Sequence, residues 1–314
     1  MSSRIDVKRE KELDSKDKAI LYELSLNSAQ NASEIAKKTG MSKQVVGYRI
    51  KELVKDVKCY SIIDKGKLGF SLFDILLTYD SVPDEKELLL HLDKDDKVVA
   101  YGPGTGCDLI LRVWAKNNAE VKEIILKIDK RFNGFIADKE VMFVEKSRIL
   151  GKKYLVEKHD EGFEFPGRGT EKVDKVDMKI LGLLALDSRL TYSEIGKKTK
   201  LSTNAISHRM KSLKKMIAGS TVYADGEKTK IFFKSKSASS ERVASFNSFL
   251  SRHKSIVVTE SYVGAWDYGI EIEEGDVREI VLEIRKLFGD IVGKIKIVKI
   301  YDEGKHNYMP KEYE

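Results

Sequence analysis

The chain has 314 residues, of which 41% are hydrophobic and 34% charged, and its formal net charge is +7. This length and balance predict a folded protein of two or more domains and exclude an intrinsically disordered chain. No apolar run approaches the ~18 residues of a membrane span, and the charged N-terminal segment MSSRIDVKREKEL lacks the apolar core of a signal peptide.

The cysteines and histidines give no sign of a metal site or a disulfide framework. Cys59 and Cys107 are too few and too far apart, and the five histidines do not cluster with them. We therefore expect a cytoplasmic protein in a reducing compartment, with no metal, no cofactor and no catalytic residues. The surplus of positive charge suits an anionic partner without identifying one.

A 41-residue window near the start of the chain returns 160 residues later without a gap. The windows Leu13 to Leu53 and Val173 to Leu213 share 17 identical positions. These include Asp14/Asp174, Asp17/Asp177, Ser33-Glu34-Ile35/Ser193-Glu194-Ile195, Ser42/Ser202, Arg49/Arg209 and Leu53/Leu213. The chain is therefore a tandem of two similar units.

Each window predicts three helices. In the first copy, helix one runs from Asp14 to Asn27, and helix two (SEIAKKTG) begins with Ser33 as its cap and ends at Gly40. Helix three follows a tight turn, with Ser42 as its cap. Apolar residues recur at helical spacing on the inner faces. They are Ile20, Leu21, Leu24, Val46, Ile50 and Leu53 in the first copy, and Ile180, Leu181, Leu184, Ala185, Ile206, Met210 and Leu213 in the second.

This order is typical of a helix-turn-helix, whose last helix places its N-terminal residues in the DNA major groove. The predicted DNA contacts are Ser42, Lys43, Gln44, Tyr48, Arg49 and Lys51 in the first copy, and Ser202, Thr203, Asn204, His208, Arg209 and Lys211 in the second. Gln44 and Asn204 occupy the same position, and either amide can form two hydrogen bonds to adenine. Arg49 and Arg209 fit phosphate contact and also a bracing role through Glu34 and Glu194. The sequence does not choose between these two roles.

Positive charge is concentrated on the helix-turn-helix units. From Ser33 to Lys58, seven cations against three acids give +4, and from Ser193 to Ile217, seven against one give +6. Together these windows exceed the +7 of the whole chain, so the remainder is net acidic. Such a distribution is expected of a protein that contacts phosphates.

After each helix-turn-helix, the pattern predicts the element order βαββαβ of a ferredoxin-like unit. The first copy has strand Ser71 to Tyr79, a helix from Pro83-Asp84 to about Leu92, strands Lys97 to Tyr101 and Leu109 to Trp114, helix Asn117 to Phe132 and strand Lys139 to Ser147. The second has strand Thr229 to Ser235, helix Ser239 to Arg252, strands Ser255 to Val263 and Asp267 to Ile272, helix Asp276 to Phe288 and strand Lys294 to Tyr301. The run Gly102 to Gly106 leads into a strand, which indicates a hairpin turn rather than a phosphate-binding loop.

The predicted fold class is α+β, with two tandem units of a (winged) helix-turn-helix and a ferredoxin-like domain. The expected domains are helix-turn-helix 1–60, ferredoxin-like 61–151, a polar linker 152–172, helix-turn-helix 173–222 and ferredoxin-like 223–314.

This domain order resembles the Lrp/AsnC (feast/famine) transcription regulators, once in each half of the chain. The stretch GMSKQVVGYRIKEL, followed by CYSIIDKGKLGF, is similar to archaeal members of that family. Typical members are single units that dimerise through the ferredoxin-like domain, called RAM in that family, so here the duplication would supply the partner. The stretch from Leu53 to Asp64 is shorter than usual and lacks the customary Gly-Ile/Val-Ile, which implies an abbreviated wing.

The resemblance also implies amino-acid effectors that bind at interfaces between RAM domains. The family carries a Gly-x-x-Asp turn, and Gly264-Ala-Trp-Asp267 matches it. In the first copy Asp108 is in place, but Thr105 lies three residues before it, between Gly104 and Gly106. The implied effector residues are Gly104, Asp108, Gly264 and Asp267. The same residues equally fit simple turns in which the aspartate holds the loop by side-chain hydrogen bonds.

The leading prediction is a sequence-specific transcription regulator that binds double-stranded DNA. Because KQVVGYRIK and TNAISHRMK differ, we expect an asymmetric pair of half-sites. Two alternatives use the same fold. One is a siroheme-decarboxylase-like enzyme, for which we find no His/Arg-rich cluster in the RAM halves. The other is an interaction or sensor module in which a helix-turn-helix has lost DNA binding. The sequence leaves open whether two chains pair through their RAM domains.

Overall fold

The computed structural model describes residues 13–156, 158, 162–224, 226–301 and 303–304. Two segments that carry predictions lie outside the described residues. They are residues 1–12, which were predicted to lack a signal peptide, and residues 305–314, the end of the second predicted RAM domain. Within the described part of the chain, no helix has the length and apolar character needed to span a membrane.

The predicted helices and strands occur in the predicted order in both copies. Three strands that were not predicted also appear, one after the third helix of each unit and one in the predicted linker. The first copy contains α1 (Ser15–Leu26), α2 (Ala32–Thr39), α3 (Lys43–Leu53), β1 (Lys58–Ile63), β2 (Ser71–Tyr79), α4 (Glu85–Lys94), β3 (Val98–Thr105), β4 (Leu109–Ala115), α5 (Asn118–Arg131) and β5 (Ile136–Ile149). After β6 (Phe163–Phe165), the second copy contains α6 (Lys175–Leu186), α7 (Tyr192–Thr199), α8 (Thr203–Leu213), β7 (Ile217–Tyr223), β8 (Lys228–Ser235), α9 (Ser240–Arg252), β9 (Ile256–Gly264), β10 (Tyr268–Ile272), α10 (Val277–Phe288) and β11 (Val292–Ile300).

The cap of α2 differs from the prediction. Asn31, and not Ser33, caps this helix, because its side-chain oxygen accepts hydrogen bonds from the backbone amides of Ser33 (2.9 Å) and Glu34 (3.1 Å). The Glu34 carboxylate accepts in return from the Asn31 amide at 2.8 Å, which completes a capping box. The predicted end of α2 at Gly40 is confirmed, and this glycine has the left-handed conformation with φ of 68°. The predicted cap of α3, Ser42, is also confirmed.

The two RAM halves form one closed ring of eight strands. In the first half the strand order is β3-β4-β2-β5, and in the second it is β9-β10-β8-β11. Each order is that of a ferredoxin-like sheet. Antiparallel pairing of β3 with β11 and of β5 with β9 joins the halves at both ends. The edge strands of each half therefore pair within the chain, which removes exposed edges that would otherwise recruit another strand.

Helices cover the outside of the ring, and its inside forms a separate core. Residues of α4 and α5 pack on the outer face of the first half, and residues of α9 and α10 on that of the second. Large side chains from both halves fill the interior, among them Leu76, Trp114 and Phe232, which are at most 1% exposed. This alternation of inner and outer side chains explains why the strands are apolar on both faces.

A buried network of charges crosses the interior between the halves. Arg112 donates to Asp74 at 2.6 and 2.7 Å and to Glu260 at 2.5 Å. The Lys230 Nζ lies 3.2 Å from Asp74 and 2.9 Å from Glu260, and the Tyr262 hydroxyl donates to Asp74 at 2.9 Å. Burial alone would raise the pKa of Asp74, but the neighbouring cations Arg112 and Lys230 hold this pKa below its ordinary value.

The connection between the copies, predicted as a polar linker, is packed against the rest of the protein over its described part. β6 pairs with the end of β5, and the Phe165 side chain is buried. The Lys152 amide donates to the Ser25 hydroxyl at 2.9 Å, and the Gly167 amide donates to the Asp64 carboxylate at 2.7 Å. These contacts tie the connection to the first helix-turn-helix unit and to the loop after β1.

Candidate DNA-binding surface

The two recognition helices, α3 and α8, present their first turns to solvent. The hydroxyl oxygens of Ser42 and Ser202 accept from the backbone amides of Val45 (3.3 Å) and Ala205 (3.2 Å), so each serine caps its helix. Their O–H groups remain donors that can reach a phosphate. The other exposed predicted contacts on these helices are Lys43, Gln44, Tyr48, Lys51, Thr203, Asn204, His208 and Lys211.

The opposite face of each recognition helix is buried as predicted. Val46, Ile50 and Leu53 are at most 8% exposed, and Ile206, Met210 and Leu213 occupy the same positions in α8. This stripe fixes the rotation of each helix about its axis. Gln44 and Asn204 therefore point away from the core at equivalent positions. Tyr48 is 69% exposed, which leaves its ring available for contact.

Arg49 and Arg209 brace the helices, but through partners other than those predicted. Arg49 lies 2.8 Å from Asp14 and 2.7 Å from Asp17, at the start of α1. Arg209 repeats the arrangement in the second copy, at 2.6 Å from Asp174 and 2.7 Å from Asp177. The pairing with Glu34 and Glu194 is wrong, because these glutamates complete the capping boxes of α2 and α7.

The braces also affect the acids that they hold. Hydrogen bonds from the Asp177 amide and from Arg209 set the pKa of Asp174 below its ordinary value. The signal for this contact was present in the sequence, since both acids and the arginine are identical in the two copies. Spacing along the chain could not reveal it, because the aspartate and the arginine are 35 residues apart.

The strands that follow the recognition helices join the two helix-turn-helix units. β1 and β7 pair antiparallel, from Lys58 opposite Tyr223 to Ile63 opposite Ile217. Each first helix packs across this pair, α1 on β7 and α6 on β1. Thr221 on β7 strengthens the contact by donating from its hydroxyl to the Ser25 carbonyl at 2.7 Å. The segment after each recognition helix thus serves as a strand of a shared two-stranded sheet.

The loops after α1 and α6 form a second contact between the units. The hydroxyls of Ser28 and Ser188, which are equivalent in the repeat, are hydrogen-bonded at 2.6 Å. Arg189 donates to the carbonyls of Ser28 (2.8 Å) and Gln30 (3.0 Å), but its equivalent in the first copy is Ala29. The two helix-turn-helix units are therefore held in a fixed relation by direct contacts with each other. One of these contacts, made by Arg189 of the second unit, has no equivalent in the first.

The turns implied as effector sites have structural roles in both copies. The Asp108 carboxylate accepts from the Tyr79 amide at 2.7 Å, and the Asp267 carboxylate accepts from the Ser235 amide at 2.6 Å. Gly104 lies against the backbone of β11, where an added Cβ would lie 2.3 Å from the Lys299 oxygen. A Cβ added at Gly264 would likewise lie 2.4 Å from the Val141 oxygen. The glycines permit the pairing of edge strands between the halves, and the aspartates hold the turns.

Comparison with known proteins supports the identification of both reading units. Residues 173–214 match the family model of the AsnC-type helix-turn-helix domain, and residues 13–56 match a winged helix-turn-helix DNA-binding model. An uncharacterized HTH-type transcriptional regulator of Pyrococcus furiosus is 32% identical over 132 residues, which cover 39% of this chain and 86% of the relative. A similarly named protein of Pyrococcus abyssi is 33% identical over 124 residues, 36% of this chain and 81% of that protein.

A solved structure matches the whole tandem arrangement. The crystal structure of the siroheme decarboxylase NirDL covers 93% of this chain, and this chain covers 92% of it, with a TM-score of 0.60 and 12% sequence identity. At that identity, the likeness shows a shared fold alone. The sequence relatives correspond to a single unit and the helix-turn-helix models to both. The chain therefore belongs to the Lrp/AsnC family of helix-turn-helix transcriptional regulators, DNA-binding proteins whose unit is present here twice in one polypeptide.

Proposed function

We propose that the two halves act as an internal pseudo-dimer that reads an asymmetric pair of DNA half-sites at one fixed spacing. The observation that carries this proposal is the direct connection between the readers, through the β1–β7 pair and the loops at Ser28 and Ser188. A homodimer places two identical helices on DNA and favours palindromes. Here the exposed positions differ, so the two half-sites need not be the same.

Binding-site selection from random duplex DNA with the purified chain tests this proposal. We expect two related but different half-sites, with centres separated by about one helical turn, ~34 Å, or a multiple of it. The two recognition helices share their position and cap but differ at Gln44/Asn204 and Tyr48/His208, which supports related half-sites. Recovery of strict palindromes, or of single half-sites without a fixed spacing, would contradict the proposal.

Removal of the Arg189 hydrogen bonds, which link the two helix-turn-helix units on one side only, should weaken the preference of the protein for one half-site spacing. Arg189→Ala deletes two hydrogen bonds from a charged donor to carbonyls of the other unit. Each such bond contributes about 1.5–3 kcal/mol. We expect the preference for the selected spacing, over sites lengthened by two base pairs, to fall by about tenfold. Lys197→Ala, which removes an exposed cation of the same unit, is the control and should weaken all spacings equally.

Salt dependence separates a DNA reader from a module that only interacts with proteins. Each phosphate contact adds ~0.9 to the slope of log binding constant against log salt concentration. Lys43→Ala should therefore reduce the slope by about 1, whereas Lys86→Ala on α4, exposed on a RAM half, should leave it unchanged. Fluorescence anisotropy with a labelled duplex from 50 to 300 mM salt gives both slopes. Binding without salt dependence would favour the interaction module.

Effector binding at the RAM turns remains a prediction from family resemblance. An open groove of about 850 Å³ lies where Gly264 meets the first RAM half and is lined by apolar residues such as Phe73 and Val141, which supports an amino-acid-type ligand between the two halves. We expect one of the twenty amino acids at millimolar concentration to raise the melting midpoint. Gly264→Ala would remove the effect but would also strain β9, so Lys122→Ala, which changes a lining side chain, is the gentler test. A uniform lack of response would remove the effector from the proposal.

We infer that the chain acts by binding DNA rather than by decarboxylating a tetrapyrrole. The cavity inside the RAM ring measures about 60 Å³, well below the ~300 Å³ at which small-molecule pockets begin. The two outer grooves, about 850 and 870 Å³, and the interior cavity have no histidine among their described lining residues. A visible absorbance band that persists after adding siroheme and gel filtration would support the enzyme instead.

A further inference from the structure

The two RAM halves correspond strand for strand, and two equivalent turns fix the register between them. The Asp108 carboxylate accepts from the Tyr79 amide, as the Asp267 carboxylate does from the Ser235 amide. The backbone amides of both aspartates also donate to equivalent strands, at 3.0 Å each. Tyr79 at the end of β2 is therefore equivalent to Ser235 at the end of β8.

Counting back five residues along each strand leads to Asp74 and Lys230. These side chains occupy equivalent positions of the two halves, yet they carry opposite charges and touch each other at 3.2 Å. Both are almost completely buried, at 0% and 5% exposure. Two equivalent residues in contact must lie on either side of the pseudo-twofold axis that relates the halves.

A second pair obeys the same rule. Glu140 of β5 lies opposite Leu76, and Lys296 of β11 lies opposite Phe232. Because Leu76 and Phe232 each lie three residues before the end of their strand, Glu140 and Lys296 are equivalent. These two side chains also have opposite charges and meet across the halves at 2.5 Å.

In a symmetric pair, both members of each contact would be the same residue. Two first halves would place Asp74 against Asp74 and Glu140 against Glu140, while two second halves would place Lys230 and Lys296 against their own copies. Like charges directly opposite each other are destabilising, most of all where water is excluded. Only a first half against a second half gives opposite charges at both places.

We propose that these two pairs make the RAM interface selective, so that each half accepts only the opposite half of this chain as its partner. The selectivity has a clear consequence for the readers, since it prevents pairing of two identical helix-turn-helix units. This inference does not depend on the proposed half-site asymmetry, because it concerns the RAM ring alone.

Exchange between two variant chains tests the proposal. In Asp74→Lys chains both equivalent residues are lysine, and in Lys230→Asp chains both are aspartate. Neither chain can then form a complementary contact with itself, but a mixture of the two can form both. We expect each variant alone to melt about 10 °C lower than the wild type. Co-expressed with different affinity tags, the two should co-purify at least tenfold more than two tagged copies of either one, at twice the 35.6 kDa of one chain.

The less buried pair, Glu140 and Lys296, allows the same exchange experiment with less destabilising substitutions if the Asp74 and Lys230 variants do not accumulate. Glu140→Lys and Lys296→Glu change side chains that are 25% and 21% exposed, and the same co-purification is expected. Arg242→Asp with Asp290→Arg is the matched control, since this ion pair of 2.6 Å lies within the second half and cannot be restored by exchange. Co-purification no greater for the mixed pairs than for this control, at both positions, would overturn the proposal.

Discussion

Gln44→Ala is expected to relax base preference in one half-site and to leave the other half-site unchanged, and Asn204→Ala should do the reverse. Both amides project from the first turn of a recognition helix, at equivalent and exposed positions. A bidentate amide–adenine contact contributes ~1–3 kcal/mol of discrimination against the wrong base. The preference at the affected base pair should therefore fall by about tenfold.

Competition binding against duplexes that vary one base pair at a time measures this effect. Lys51→Ala is the control, because an exposed cation late in α3 should change affinity for all sequences alike. If neither amide variant alters sequence preference, the assignment of Gln44 and Asn204 as base readers is wrong. If only one does, a single unit reads sequence and the other contributes through the backbone alone.

Asp74→Ala is expected to lower the free energy of unfolding by about 3–5 kcal/mol, because removal of one partner leaves buried charges uncompensated. Arg112 and Lys230 would then share the single carboxylate of Glu260 at a buried position inside the ring. Urea unfolding followed by circular dichroism gives this value. Asp290→Ala, which removes an exposed partner of Arg242, is the control and should change stability little. An equally small effect for Asp74 would mean that the network contributes no net stability.

The same network sets an expected dependence of stability on pH. The pKa values of Asp74 and Glu260 lie below their ordinary values in the folded state, because Arg112 and Lys230 outweigh the effect of burial. The stability that these two carboxylates contribute is fully present above their pKa values in the unfolded chain, ~4. It is lost as the pH falls through their pKa values in the folded protein. The pKa of Lys230 is raised, since Asp74 and Glu260 outweigh both burial and the nearby Arg112, so its contribution is lost only as pH rises through the folded value. Asp74→Ala should flatten the acid side of this profile.

The sequence by itself determined the two units, their element order and the faces of their helices. Periodicity of 3.6 and of 2 residues depends on local geometry, so Val46, Ile50 and Leu53 could be placed in the core before any contact was known. The Ser42 cap follows from a local rule of the same kind. The hairpin turn predicted at Gly102 to Gly106 lies later in the structure, because β3 continues to Thr105, where Gly104 and Thr105 pair with β11. The repeat then transferred each assignment to the second copy.

Only the tertiary structure decided which distant residues meet. It paired Arg49 with two aspartates at the start of α1 instead of Glu34. It also joined β1 to β7, so that the two helix-turn-helix units contact each other directly. It also brought Asp74 against Lys230, 156 residues away. Contacts of this kind depend on how sheets close and helices cross, which no local pattern encodes. The charges were visible in the sequence, but their partners were not, because complementarity is a property of the assembled interface.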